Sequence, residues 1–209
     1  MSPVGSISIR PAGAEDVRRI AEIIHGEPGN ESVALTGGVD RARRFGNGLV
    51  ALDEIPNASK PTVVAESDGR VVGVLQYSRG QTGTPITLGH VRLAVSVMGP
   101  IGVLRLLPRL RARSKVDMPI PVDSFYVAEL HVDPEVRGNG VGGQLLDWAE
   151  QEAKRLGDRR MTLTTTASNP ARHLYERKGF TVTKQATHPS YERFSGIPGR
   201  VLMEKQLAG

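Results

Sequence analysis

A strand-like run over residues 125–132 is followed by a four-residue turn, Asp133-Pro134-Glu135-Val136, and then by glycines at 138, 140, 142 and 143 that lead straight into a helix. Val141, Leu145, Ala149, Ala153 and Leu156 mark one apolar face of that helix, and Gly157 closes it. Strand, glycine loop and helix in direct succession restrict the chain to α/β architectures. Glycine lets the backbone approach an anion closely, and the first amides of a helix have no internal acceptor, so this loop reads as a phosphate cradle. Arg137 adds a fixed positive charge suited to phosphate oxygens.

The remaining pattern fits such an architecture. Ile7-Ser8-Ile9-Arg10 alternates like a short strand, and after the acidic start Glu15-Asp16 the residues Val17, Ile20, Ile23 and Ile24 recur at helical spacing. Residues 26–40, with four glycines, a proline and an asparagine, read as loop, and a second helix is expected over 41–52. Two β-rich runs, 61–66 and 70–77, flank Ser67-Asp68-Gly69 as a hairpin. Residues 78–122 do not continue the sheet pattern and read as an inserted helical excursion, centred on about 86–122. A strand at 161–166 follows the glycine-loop helix. Asn169-Pro170 then starts a helix that Gly179 ends, and two strands follow at 181–185 and 201–207, with 186–200 between them read as a surface hairpin. The order gives a mixed α/β sheet with helices on its faces.

Size and composition narrow the function. The 209 residues suit one domain, and 39% hydrophobic with 23% charged residues is ordinary for a soluble globular protein. With no cysteine there is no disulfide, thiolate metal site or cysteine nucleophile. Residues 1–10 lack a basic segment followed by an apolar run, so a cytoplasmic location is expected. The longest apolar stretch, 93–104, is broken by Ser96, Gly99, Pro100 and Gly102 and is too short to span roughly 30 Å of hydrocarbon. Core packing is the plainest reading of 93–107, with a lid or a homodimer contact as alternatives. Arg105, Arg109, Arg111, Arg113 and Lys115 carry the whole net charge of +5, because the other 22 basic residues balance the 22 acidic ones. Such a cluster is a solvated helix face or an attractor of phosphates and anionic surfaces; no aromatic residues interleave it for base stacking, so a nucleic-acid partner is not expected.

The glycine loop has rivals to exclude. A P-loop requires Gly-Lys-Ser/Thr, which is absent. Gly138, Gly140 and Gly143 satisfy the dinucleotide spacing, but the next strand ends in Ala167-Ser168-Asn169 without the acid that would hold a ribose. Arg137-Gly138-Asn139-Gly140-Val141-Gly142 instead resembles the Gln/Arg-x-x-Gly-x-Gly/Ala signature of the GNAT superfamily of N-acetyltransferases. The resemblance runs from about Val127 to Phe180 and includes Glu129-Leu130-His131-Val132-Asp133-Pro134 and the run from Asn169 through Tyr175 to Phe180. It implies a mostly antiparallel central sheet with helices on both faces, into which the helical excursion at about 86–122 is inserted, and acetyl-CoA as cosubstrate. By the same resemblance the pyrophosphate rests on Arg137, Gly138, Asn139, Gly140, Val141, Gly142 and Gly143. The pantetheine arm runs along Leu130, His131 and Val132 and past Asn169, and Tyr175 stands in the general-acid position.

Acetyl transfer to a primary amine by direct attack in a ternary complex is the implied reaction, and a non-catalytic acyl-CoA-binding sensor or regulatory module is the alternative. An alkyl ammonium with a pKa near roughly 10 needs a proton acceptor at neutral pH. Glu129 and His131, two apart on a strand, project to one face while Leu130 and Val132 project to the other. Glu129 is the candidate base, against a surface ion pair as its ordinary reading; His131 is the second candidate, against a packed or hydrogen-bonded histidine. Tyr175 is the candidate acid, against a core tyrosine packed with Leu174 and Phe180. Asn169 reads equally as a helix cap. His25, His90, His173 and His188 fall in no ligand spacing, so no metal is expected. By the resemblance, the acceptor is set by residues 26–60, 186–200 and the insertion, none of which carries a readable signature; Tyr191 and Phe194 would line an amine pocket or belong to a plain surface hairpin.

Overall fold

The computed structural model describes residues 5–52, 60–80 and 86–207. The parts of the acceptor-determining stretch at 53–59, of the insertion at 81–85 and of the N-terminal run at 1–4 lie outside the described residues. Among the described residues seven strands form one sheet: β1 (Ile7–Pro11), β2 (Thr62–Ser67), β3 (Arg70–Arg79), β4 (Phe125–Val132), β5 (Arg160–Thr166), β6 (Thr181–Thr187) and β7 (Gly199–Gln206). Their spatial order is β1-β2-β3-β4-β5-β7-β6, and every neighbouring pair is antiparallel except β4 with β5. The helices are α1 (Val17–His25), α2 (Asn30–Thr36), α3 (Val39–Leu52), α4 (Leu88–Ser114), α5 (Val141–Arg155), α6 (Arg172–Arg177) and α7 (Pro189–Ser195). The mixed, mostly antiparallel sheet with a helical insertion, α4, is the expected architecture.

Local chemistry explains the elements that were legible. The β2–β3 turn holds Asp68 at φ 51° and Gly69 at φ 74°, the paired left-handed residues whose twist matches the flanking strands. The apolar stripe of α5 (Val141, Leu145, Ala149 and Ala153) is fully buried against Val63, Leu75, Phe125, Met161 and Met203. On the opposite face, Ile20, Ile23 and Ile24 of α1 cover Val64, Val71 and Val74. Both faces of β2 and β3 are thus shielded, which is why these strands read as continuous β-branched runs.

Three stretches differ from expectation. Residues 26–40 contain α2, a short helix between Gly29 and Gly37, with Gly37 left-handed at its end; the glycines that read as loop are its punctuation. Residues 186–200 contain α7 in place of a hairpin turn. His188 Nδ1 accepts from the Ser190 N–H at 3.2 Å, Pro189 opens the helix, and Tyr191 is wholly buried with Val116 and Ile197. The apolar stretch 93–107 lies on α4, where Ala94 and Met98 are buried but Ile101, Leu104 and Leu107 face outward. Leu93, Val97, Val103 and Leu106 are half-buried, so core packing accounts for one side of the stretch and leaves the other to solvent.

One buried carboxylate ties the glycine loop's approach to the sheet. Asp133, at the end of β4, accepts from Arg19 of α1 and from Arg70 of β3 at 2.9 Å, and its other oxygen caps the Glu135 N–H at 3.0 Å. The short 3-10 turn Pro134–Val136 starts on this cap. Asp133→Ala removes the acceptor of the Glu135 N–H and the buried partner shared by two guanidinium groups, which keep Glu22, Val71 O and Glu135. It should lower stability by about 2 kcal/mol, seen as a fall in thermal midpoint of roughly 6 °C, whereas Glu135→Ala, at the exposed rim, should shift it by less than about 1 °C.

Candidate active site

The site starts from an interruption in the sheet. β4 and β5 pair only at Phe125 with Met161, Tyr126 with Thr162 and Val127 with Leu163, and beyond these residues the strands part. A bulge at Ala128 displaces β4 by one residue against β3. The Asp133 N–H donates to Val72 O at 2.9 Å, and in an antiparallel pair the hydrogen-bonded residues alternate. His131 and Glu129 therefore turn their backbone groups toward β3, and Leu130 and Val132 turn theirs into the opening. The side chains of Leu130 and Val132 pack on the main core, while Glu129 and His131 face the other side, as the strand periodicity indicates.

The glycine loop closes one end of this opening. Gly138 (φ 85°) and Gly140 (φ 82°) are left-handed, and Asn139 Nδ2 braces the loop by donating to Val136 O at 3.1 Å. The first helical bond of α5 is Gln144 N–H to Gly140 O, so the amides of Val141, Gly142 and Gly143 come before the helical ladder. Gly142 has a different reason to lack a side chain: a methyl group there would lie 3.1 Å from Leu174 Cδ2. Gly143 similarly abuts Lys178, whose ammonium pairs with Asp147 at 2.6 Å. The second pair of glycines admits α6 against the start of α5 and so joins the two sequence motifs. Arg137 donates through Nε to Val132 O at 3.2 Å and pairs with Glu27 at 2.9 Å.

On the opposite face the parted strands floor a cavity of about 630 Å³, walled by the end of α1, the start of α2, Arg113 at the end of α4, residues 117–120 and the turn carrying Asn169. Glu129 and His131 lie on its floor, joined by a 2.8 Å hydrogen bond between Oε2 and Nε2. Enclosure pushes the Glu129 carboxyl up, but the His131 hydrogen bond and the surrounding positive groups outweigh it and hold the carboxyl below its ordinary range. His25 faces the same space from α1, and burial pushes its imidazole below the usual histidine range. Deeper in, Glu31 of α2 is gripped by Tyr191 Oη at 2.9 Å, Arg113 at 2.9 Å and Arg200 at 2.7 Å. Arg200 and the Tyr126 hydroxyl both reach Thr164 Oγ1, at 3.2 and 2.9 Å. Arg113 also pairs with Asp117, so the two arginines of the wall are matched by two carboxylates and Glu129 remains in excess.

Tyr175 of α6 is buried in the main core, edge-on to Phe180 with ring centroids 6.2 Å apart. Burial, helped by the negative charge of Glu129, pushes its phenol up to about 12. Asn169 Oδ1 accepts from the Ala171 N–H at 2.9 Å and its amide donates to Thr165 Oγ1 at 2.7 Å, so it caps a turn that leads into α6. It also lines the cavity.

Residues 47–180 match the model of the acetyltransferase (GNAT) family. The chain belongs to this family. Solved structures with the same fold include the PaiA N-acetyltransferase of Thermoplasma acidophilum in complex with coenzyme A, at 17% identity and TM-score 0.60 over 96% of this chain and 99% of that one. A protein of Corynebacterium glutamicum described as histone acetyltransferase HPA2 and related acetyltransferase matches at 22% identity and TM-score 0.62 over 98% of each chain. An N-acetyltransferase of Staphylococcus aureus Mu50 matches at 18% identity and TM-score 0.56 over 98% of this chain and all of the other. Comparison with curated proteins gives no match.

Acetyl-CoA is the cosubstrate of this GNAT fold, and the opening in the sheet suits it. Left-handed glycines, amides ahead of the α5 ladder and Arg137 are groups able to receive a diphosphate, and the backbone of Leu130 and the N–H of Val132, which no strand pairs, face the same opening. The fold thus brings together the glycine loop, Leu130, Val132, Asn169, Glu129 and His131, with Tyr175 behind them in the core. His25, Glu31, Tyr126, Thr164 and Arg200 are cavity residues that sequence reasoning missed. Tyr126 and Glu129 are three apart, so a regular strand would put them on opposite faces; the Ala128 bulge puts both on the cavity side.

The two kinds of glycine predict two kinds of defect. A methyl group at Gly140 meets open space, so Gly140→Ala costs about 1–2 kcal/mol of left-handed strain, and relaxation of that strain re-aims the amides. Coenzyme A affinity by titration calorimetry should fall about tenfold or more. Gly142→Ala, pressed on Leu174, should lower the thermal midpoint first, with coenzyme A affinity following only as α6 shifts.

Proposed function

We propose that the chain moves the acetyl group of acetyl-CoA to a primary amine by direct attack, with both substrates bound at once across the parted strands. The observation that carries this reading is Glu129: an ionised carboxylate in excess on the floor of the cavity, beside the gap through which the glycine-loop side of the sheet communicates with it. A net negative cavity attracts an ammonium group and disfavours an anionic acceptor. Acetyl-CoA, when bound, supplies the thioester carbonyl and a thiolate leaving group.

Glu129, held acidic by His131, is a weak base toward a free ammonium ion. It serves first as an electrostatic anchor. Once the bound ammonium has lost a proton to solvent its lone pair can attack the thioester carbonyl. As the nitrogen bonds to carbon its remaining protons become far more acidic, the carboxylate, or His131 hydrogen-bonded to it, takes one, and the carbon–sulfur bond breaks. Tyr175 keeps its proton at any physiological pH and can hand a hydrogen bond, or the proton, to the departing sulfur. Gly138 to Gly143 and Arg137 hold the diphosphate, and Leu130, His131, Val132 and Asn169 align the arm, so that the reacting atoms meet without a search.

The test is turnover with acetyl-CoA and panels of small amines, peptides and aminoglycosides, read as free thiol. Glu129→Gln should lower kcat/KM about 100-fold and Tyr175→Phe at least about tenfold. Because the Glu129 carboxyl is depressed and the Tyr175 phenol is raised to about 12, neither titrates between pH 6 and 10. The rate should therefore rise with pH through the pKa of the acceptor amine, with no descending limb in that window. A descending limb near the ordinary tyrosine value, or unchanged turnover in both variants, removes the assigned roles. Tight coenzyme A binding with no turnover on any amine points to a cofactor sensor.

A further inference from the structure

We propose that the outer face of α4 docks on the surface of an anionic lipid bilayer. This rests on features that acyl transfer does not use. Helix α4 turns one side to the protein, packing on α2, α3 and α7, and leaves the other to solvent. The solvent side carries Leu88, Val91 and Val95 before the kink and Ile101, Leu104 and Leu107 after it; Ile101 and Leu104 are each 67% exposed and Leu107 58%. Within each of the two segments their spacing of three and four residues aligns them along one side of the helix.

The cations of α4 divide in the same way. Arg109 donates inward to Leu35 O at 2.9 Å, and Arg113 holds Glu31 and Asp117. Arg92, Arg105, Arg111 and Lys115 lie exposed on or beside the apolar stripe, with no acidic partner among the described residues. No Asp or Glu occurs from residue 86 to 116. Large apolar side chains flanked by unpaired cations match an interface in which the former enter the acyl boundary and the latter meet anionic headgroups.

The helix lies in that plane and does not cross it. By length and mean hydropathy alone, 1.5 over its most apolar window, α4 is long and apolar enough to span a membrane. Gly99, at φ 70° and ψ 168°, breaks it, and Pro100 opens a second segment. Each segment is shorter than the roughly 20 residues a span requires, and the inner side of each is already bound to the domain. A second copy of the chain fits the face less well. A two-fold contact would set Arg105, Arg111 and Lys115 against the same residues with no carboxylate between them. Nucleic acid would use the cations but leave the leucines unpaired with anything apolar.

Sedimentation with vesicles tests this on the full chain. Vesicles of phosphatidylcholine mixed with phosphatidylglycerol should pellet the protein, and vesicles of phosphatidylcholine alone should not. Each neutralised cation should weaken partitioning about fivefold, so the Arg105→Gln/Arg111→Gln pair should cost roughly 25-fold, and Leu104→Ser/Leu107→Ser should abolish pelleting. Thermal midpoint and coenzyme A affinity of both variants should match the parent, since these side chains are exposed. Absence of binding to the anionic vesicles, or equal binding to both kinds, overturns the proposal. So does a dimer in analytical ultracentrifugation that the leucine pair dissociates, or retention of duplex RNA or DNA without vesicle binding.

Discussion

The parallel pairing of β4 with β5 is the constraint on which the rest depends. All other strand contacts in the sheet are antiparallel, and a single parallel contact cannot be closed by a short turn. The chain must leave the end of β4, cross over the sheet through α5 and return. The glycine loop sits where that departure begins, so the amides at the start of α5 lie beside the end of the strand whose backbone is free. Because the pairing lasts three residues and then fails, the strands part, with the glycine loop at the end of β4 and the cavity floored by the parted strands.

Side-chain chemistry is distributed to match. On the loop side the important groups are backbone amides and glycines, which bind charge without titrating. On the cavity side they are side chains in two groups, the Glu129–His131 pair and the network of Glu31 with Arg113, Tyr191 and Arg200. Tyr175 is packed in the main core against Phe180, near enough to Glu129 to feel its charge. Its burial keeps a proton on the phenol, the state a leaving thiolate requires.

Legibility in the sequence follows the range of the interactions involved. The β2–β3 hairpin, β4, the glycine loop, α5 and the Asn169 turn each rest on contacts within a few residues, and local pattern sufficed for all of them. Residues 26–40 and 186–200 did not yield to it, because α2 and α7 are short helices whose main anchors are distant: Glu31 is bound to Arg113, Tyr191 and Arg200. The same holds for the site. Glu129 and His131 were visible as a strand pair, whereas Tyr126 needed the Ala128 bulge, and Arg200 and Glu31 needed each other. The basic cluster was visible as charge, but its division between an inner pair of arginines and an outer unpaired set depends on which side of α4 meets the domain.

The grip on Glu31 has a consequence for how the molecule comes into being. Two of its partners, Tyr191 and Arg200, are separated from it by most of the chain, Arg200 lying in the final strand. Closing loops of that length is entropically slow to be repaid. The glycine loop is built from residues close in sequence and can form once β4 and α5 have docked, but the Glu31 network on the cavity wall cannot be completed until β7 is in the sheet. During synthesis the nascent chain therefore has its glycine loop and the strand before it in place while the cavity wall is still unfinished.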